Sequence, residues 1–227
     1  MNRRNALASA TAALIVAASV PFTRAQTTAS TKLSSEDAAA AVRELIQSGL
    51  DHAVSPSVPP LPTSLDAAVS ELRSRGDTAV IARLAGAWSE AIAEVMPNAH
   101  TAASTLAARI QPRDPVALLA GGNDAATAYF RGASEDAIAR AIQPAVRDAI
   151  GRARVTDALR AFATAASSSG IEAPALRASD LERAVTDATL HELFLEVASQ
   201  EARLRRDPAR GSTTLQRAMA TAGASTR

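Results

Sequence analysis

Residues 78–97, TAVIARLAGAWSEAIAEVMP, decide the fold class. Val80, Ile81, Leu84, Trp88, Ile92 and Val95 recur at intervals of three and four, which lays one apolar stripe along about five turns of helix. A half-buried strand would alternate apolar and polar residues, and no part of the chain does so. The spacing makes Trp88 a packing centre and predicts an end at Pro97, whose ring clashes with the preceding turn. Asn98 then caps a segment carrying Leu106 and Ile110.

The same period extends upstream. Ser34-Ser35-Glu36-Asp37 opens a helix in which Val42, Leu45, Ile46 and Leu50 share a face, ending near Ala53. Pro56-Ser57-Val58-Pro59-Pro60-Leu61-Pro62 forbids helix and predicts an extended surface connector. Thr63 with Asp66 caps a short helix through Leu65, Val69 and Leu72, and Gly76 supplies its left-handed stop.

Downstream, Asp114 caps a helix with Pro115 in its first position, carrying Val116, Leu118 and Leu119 and stopped by Gly121-Gly122. A new helix starts at Asn123. Ser134 is expected to cap another, through Ile138, Ile142, Val146 and Ile150, with a kink or break at Pro144. Residues 156–166 make a further helix, followed by a loop to Ala178. Ser179 with Glu182 forms a capping box for a long helix through Leu181, Val185, Leu190, Phe194, Val197 and Leu204, and Asp207-Pro208 interrupts it before a terminal helix. The expected fold is all-α, a single-domain multi-helix bundle with no β-sheet. No fixed period indicates a solenoid.

At the amino terminus, Met1-Asn2-Arg3-Arg4, an apolar stretch from Ala6 to Val20, Pro21 and small residues around Ala25 have the layout of a cleavable export signal. The apolar stretch is short for a membrane span. The expected organisation is a signal over 1–25, a flexible start over 26–33, a helical domain over 34–220 and a disordered tail over 221–227. Arg3-Arg4 and Arg24 suit the twin-arginine route, and two arginines suit an ordinary leader as well. The mature chain is expected to be soluble, periplasmic or secreted, and without a transmembrane anchor. The absence of cysteine excludes disulfides and a lipidated cysteine.

Cleavage removes three of the 24 basic residues and none of the 23 acidic ones, turning the net charge of +1 into about −2. That balance gives no general attraction to nucleic acid. Only six aromatic residues occur in the chain, Phe22, Trp88, Tyr129, Phe130, Phe162 and Phe194, so little stacking surface is available for bases or sugars. Leucine, isoleucine, valine and alanine must build the core.

One segment gathers unusual residues: Gly121-Gly122-Asn123-Asp124-Ala125-Ala126-Thr127-Ala128-Tyr129-Phe130-Arg131. Together with Leu33-Ser34, Asp37-Ala38, Pro60-Leu61-Pro62, Leu193-Phe194 and the close from Glu201 through Arg205, Asp207-Pro208 and Arg210, it resembles the bacterial exported family catalogued as domain of unknown function four-one-nine-seven. The likeness covers nearly the whole mature chain. Asn123, where an acid is expected, and the polar tail past Met219 depart from the pattern. The resemblance implies an all-helical periplasmic protein with no assigned reaction, cofactor or partner.

Read chemically, the glycine pair leaves free amides at a helix start, where the helix dipole suits an anion. Asn123, Asp124, Thr127, Tyr129 and Arg131 are therefore the candidate binding residues. The structural alternative has Asn123 or Asp124 capping the helix, Tyr129 and Phe130 packing, and Arg131 pairing with a carboxylate. Arg203, Arg205, Arg206 and Arg210 form a second candidate, for an anionic lipid surface or another acidic partner. Glu201 and Arg205, four apart in the stabilising order, also fit a solvated helix end. Glu192, Glu196 and Glu201 are the carboxylates that a hydrolase-type reading would use. His191-Glu192 begins like a zinc-protease helix, but Leu195 stands where the second histidine belongs. No metal or cofactor is indicated, and no catalytic residue is assigned. The expected role is a binding or interaction module whose partner, an envelope protein or a small ligand, contacts the Gly121 to Arg131 region.

Overall fold

The computed structural model describes residues 33–52 and 59–224, which hold eight α-helices and no strand. The export signal and part of the proline connector lie outside the described residues. α1 (Ser35–His52) starts where expected: the Ser34 hydroxyl oxygen accepts from the Asp37 amide at 3.0 Å. After a 3₁₀ turn at Thr63–Leu65, α2 (Asp66–Ser74) ends before Gly76, whose φ of 88° is the predicted left-handed stop. Trp88 is buried, and its indole N–H donates to the Pro60 carbonyl at 3.0 Å, which pins the end of the connector to the core.

α3 (Thr78–Ala107) does not end at Pro97. A proline inside a helix forfeits one backbone hydrogen bond and costs about 3 kcal/mol. Here Ile92, Val95 and Met96 before it and Ala99, Ala103 and Ala107 after it are all buried. Pro97 itself is exposed, and the three alanines buried after it, at about 0.8 kcal/mol per buried methyl-sized group, offset most of the proline's cost and keep one continuous face. Asn98 therefore lies inside the helix and caps nothing.

α4 (Pro115–Ala120) starts at Asp114, whose carboxylate accepts from the Ala117 amide at 2.9 Å, and stops at Gly121. α5 (Ala125–Arg152) passes through both Ser134 and Pro144. Ser134 is not a cap: it is buried, and its hydroxyl donates back to the Phe130 carbonyl at 2.7 Å. Pro144 breaks nothing, because Ile138, Ile142, Val146 and Ala149 are buried on both sides of it.

α6 (Val155–Ser168) follows a left-handed joint at Arg154, where φ is 55°. α7 (Ala178–Arg206) opens differently from the expected Ser179–Glu182 box, since the Asp180 carboxylate takes the Arg177 amide at 3.4 Å. Asp207-Pro208 ends α7 as expected. A 3₁₀ turn at Pro208–Arg210 leads to α8 (Thr213–Ala224), which runs helically beyond the boundary at 220 where a disordered tail was expected. The Glu44 carboxylate on α1 accepts from the Ser212 amide at 2.6 Å and fixes the start of α8.

The larger core joins α1, α3, α5, α7 and α8 around Trp88, Phe130 and Phe194. A smaller core under α2, the first turns of α3 and α6 centres on Leu72, Leu84 and Phe162. α1 crosses α7 closely at Gly49, where an added Cβ would stand 2.8 Å from both Cα and Cγ1 of Val197. Gly49→Ala gains roughly 1 kcal/mol of helix propensity and meets an overpacking cost of about 1–3 kcal/mol. The clash wins, because Val197 Cα is backbone and cannot give way without moving α7. Urea denaturation should show a net loss of up to about 2 kcal/mol. Gly86→Ala, where an added Cβ meets nothing within 4 Å, should gain up to about 1 kcal/mol. Equal effects at the two sites would refute this account of the crossing.

Candidate functional site

The Gly121 to Arg131 segment is the joint between α4 and α5, and α7 lies across it. Ending one helix and starting another within a few residues leaves carbonyls of α4 and amides of α5 without helical partners. Glu201 on α7, fully buried, meets the amides. One carboxylate oxygen accepts from the Ala126 amide at 2.9 Å, and the other accepts from the Thr127 amide at 2.7 Å and the Thr127 hydroxyl at 2.6 Å.

Arg205, one turn further along α7, meets the carbonyls. Its side chain is 6% exposed and forms an ion pair with Glu201 at 2.6 Å. The guanidinium also donates to the carbonyls of Leu118 and Leu119, each at 2.8 Å. A negative charge therefore sits at the positive end of α5 and a positive charge at the negative end of α4, both in the orientation the helix dipole favours. No buried side-chain nitrogen or oxygen among the described residues lacks a partner.

This arrangement reassigns the segment. The place for an anion at the start of α5 is filled by the protein's own Glu201. Asp124 is the residue before the helix, but its side chain makes no capping bond and stays exposed. Asn123 is exposed as well. Thr127 is buried with its hydroxyl engaged by Glu201. Phe130 is fully buried and meets Phe194 edge-to-face, with centroids 5.9 Å apart. Tyr129 is half-buried, and its hydroxyl donates to the Gln111 carbonyl at a long 3.4 Å.

Arg131 does pair with a carboxylate, Glu135, at 2.8 Å. That hydrogen bond holds its guanidinium pKa above the ordinary arginine value. The same guanidinium stands 5.5 Å from the centre of the Phe194 ring, within cation–π range. Both sides of the ion pair are well exposed, so its stabilisation is a few tenths of a kcal/mol.

Beside this joint, α5 and α7 leave an open groove of about 210 Å³. Asp124, Ala128 and Arg131 form one wall, and His191, Phe194 and Leu195 the other. Leu195 is 53% exposed and is the one large hydrophobic side chain so exposed among the described residues. Of the five candidate binding residues, Asp124, Thr127 and Arg131 reach this groove, while Asn123 and Tyr129 do not line it.

The remaining candidates separate. Arg203, Arg206 and Arg210 are exposed, whereas Arg205 is enclosed and cannot meet an external surface. Arg210 pairs with Asp207 at 3.0 Å. Of the carboxylates considered for chemistry, Glu201 is spent on the joint, Glu196 accepts from Gln200 at 2.9 Å, and Glu192 is buried. His52 and His100 lie against the carbonyls of Ser48 and Leu50. No cluster among the described residues has three histidine, aspartate or glutamate groups placed to hold a metal ion.

Sequence reasoning missed the clamp itself. Its signal was present as a glutamate and an arginine four apart on a long helix, together with a Gly-Gly break needing partners for both helix ends. Nothing in the sequence placed α7 against that break. His191 and Leu195 belong to an incomplete zinc motif in the sequence, and their own four-residue spacing puts them on one side of α7, where both line the groove.

Comparison with known proteins matches residues 32–219 to a family described as "Protein of unknown function (DUF4197)". No curated protein and no solved structure matches the chain.

Proposed function

The chain belongs to this family of unknown function, and from its site we propose that the protein is a periplasmic binding module that grips an apolar side chain of a partner polypeptide in the α5–α7 groove. The observation that carries this reading is Leu195, an exposed leucine beside the polar groups of Asp124, Arg131 and His191. An apolar centre with a polar rim is the composition of a protein-binding patch.

Size favours a partner side chain over a small-molecule substrate. Pockets that enclose drug-sized ligands have about 300–1,000 Å³, and this groove of about 210 Å³ is smaller and open to solvent. The hydrolase reading needs a carboxylate facing a substrate at the joint, and Glu201 already holds its full set of hydrogen bonds there. The buried clamp makes the groove wall rigid, which lowers the entropy cost of binding. Residues 1–25, with their basic start and apolar stretch, support export to the periplasm. Among the described residues no helix is long and apolar enough to cross a membrane.

A photo-crosslinking residue at position 195 tests the reading in the cell envelope. A discrete adduct is expected, absent when the same residue replaces exposed Glu172, and weakened a few-fold by Asp124→Ala with His191→Ala, since exposed polar contacts at a rim contribute about 0.2–1 kcal/mol. The same adducts from both positions, or an adduct indifferent to the two alanines, would remove the proposal. Mass analysis of the exported chain should find Gln26 at its amino terminus; an uncleaved leader in the cytoplasm would remove the location.

A further inference from the structure

We infer that the carboxy-terminal end of the helical unit is a docking surface for an anionic phospholipid bilayer. From Ala202 to Ala224 the chain carries Arg203, Arg205, Arg206, Arg210 and Arg217 against one acid, Asp207. The fold sorts these arginines. Arg205 turns inward to the clamp, while Arg203 and Arg206, three apart, lie on the side of α7 opposite buried Glu201 and Leu204. Arg206 donates its Nε–H to the Ala202 carbonyl at 3.2 Å, which leaves its two terminal nitrogens outward.

The 3₁₀ turn packs against both α7 and α8, which sets Arg210 beside the end of α7, while Arg217 is exposed further along α8, a helix that packs on α1 and α4. Arg210 shares Asp207 in an exposed ion pair, its side chain 71% accessible. Two acids here, Asp207 and the Glu44 that holds Ser212, against four exposed arginines leave a local excess of positive charge on a mature chain that is slightly acidic elsewhere. Guanidinium groups bind phosphate oxygens through two parallel N–H donors, and each basic residue near an anionic membrane adds measurably to binding.

The adjoining surface points to a bilayer instead of nucleic acid. In α8, TTLQRAMATAGA, Arg217 is the sole charge, and the exposed end of the helix forms a shallow apolar concavity from Met219, Ala220, Gly223 and Ala224. It holds no aromatic ring for stacking bases. Met219, half-buried against the core, and these small residues can settle at the headgroup boundary, with phosphates meeting the arginines nearer the start of α8. The surface is separate from the α5–α7 groove and shares no lining residue with it.

Cosedimentation of the full mature protein with vesicles tests this. Vesicles of phosphatidylcholine with phosphatidylglycerol should carry the protein down at low salt, and pure phosphatidylcholine should not. R203Q/R206Q/R210Q/R217Q, all exposed replacements that spare Arg205, should lower the partition coefficient at least about tenfold, as should raising the salt severalfold. M219Q should weaken it by a smaller factor while leaving circular dichroism unchanged. No binding to anionic vesicles, equal binding to both vesicle types, or binding unchanged in the quadruple variant would overturn the inference. Loss of vesicle binding in L195Q would overturn it too, by assigning the contact to the groove.

Discussion

Glu201→Ala is expected to lower the unfolding free energy by about 3–5 kcal/mol, the range for removing one partner of a buried ion pair. For a chain of this length that corresponds to a fall in Tm of roughly 6–20 °C. Three effects add. Arg205, 6% exposed, keeps its charge and loses its carboxylate. The amides of Ala126 and Thr127 and the Thr127 hydroxyl lose their acceptor. A cavity replaces the carboxylate in the packed joint.

Opposing these is the desolvation of Glu201 itself, a cost that alanine does not bear. It does not win, because four donors of the joint are arranged around the charge and only water could replace it. Arg75–Glu71, an ion pair of the same spacing with side chains 46% and 51% exposed, is the control. Glu71→Ala should change stability by less than about 1 kcal/mol. Replacing both clamp residues, Glu201→Leu with Arg205→Met, should cost less than the sum of the two single changes, since neither charge is then left alone. Guanidinium denaturation followed by circular dichroism measures all five variants, the two single changes Glu201→Leu and Arg205→Met included. A loss below about 1 kcal/mol for Glu201→Ala, or strict additivity in the double variant, would show that the clamp is not a coupled unit.

How much of this was legible beforehand depended on whether the deciding contacts were local. The helix starts at Ser34 and Asp114 and the stop at Gly76 were readable because a cap is made within four residues. Pro97, Ser134 and Pro144 misled for the converse reason. Each has a local preference to end or begin a helix, but Ser134 is buried, and Pro97 and Pro144 are exposed positions flanked by buried residues whose packing partners come from other helices. The acid before α5 shows the same limit at the site. Asp124 stands where a capping residue belongs, yet a glutamate 74 residues away in sequence takes the Thr127 amide. Arg205 was grouped with its neighbours by composition, and only the position of Leu118 and Leu119 separates it from them. The helix boundary at Gly121-Gly122 was thus legible in the sequence, but not the two charges of α7 that serve its ends.

Phe130→Ala is expected to cost about 3–5 kcal/mol as well, through a different mechanism. Its ring is fully buried and meets Phe194 edge-to-face, so truncation loses apolar transfer, the aromatic contact and the close packing around both. The effect should extend to the groove. Phe194 forms part of its wall and carries the Arg131 guanidinium 5.5 Å from its ring centre, so a ring freed on its buried side no longer fixes either. Leu195→Gln supplies the complementary case. That side chain is 53% exposed and glutamine has a similar helix propensity, so stability should stay within about 0.5 kcal/mol while partner crosslinking falls. Phe130→Leu, which refills most of the volume, should cost about 1.5 kcal/mol and keep binding. Thermal and urea unfolding, read beside the crosslinking yield, distinguish a residue that holds the groove from one that uses it. If Phe130→Ala were tolerated within 1 kcal/mol, Phe130 and Phe194 would not be the packed support of the groove, and the rigidity on which its binding role rests would have to come from the Glu201–Arg205 clamp alone.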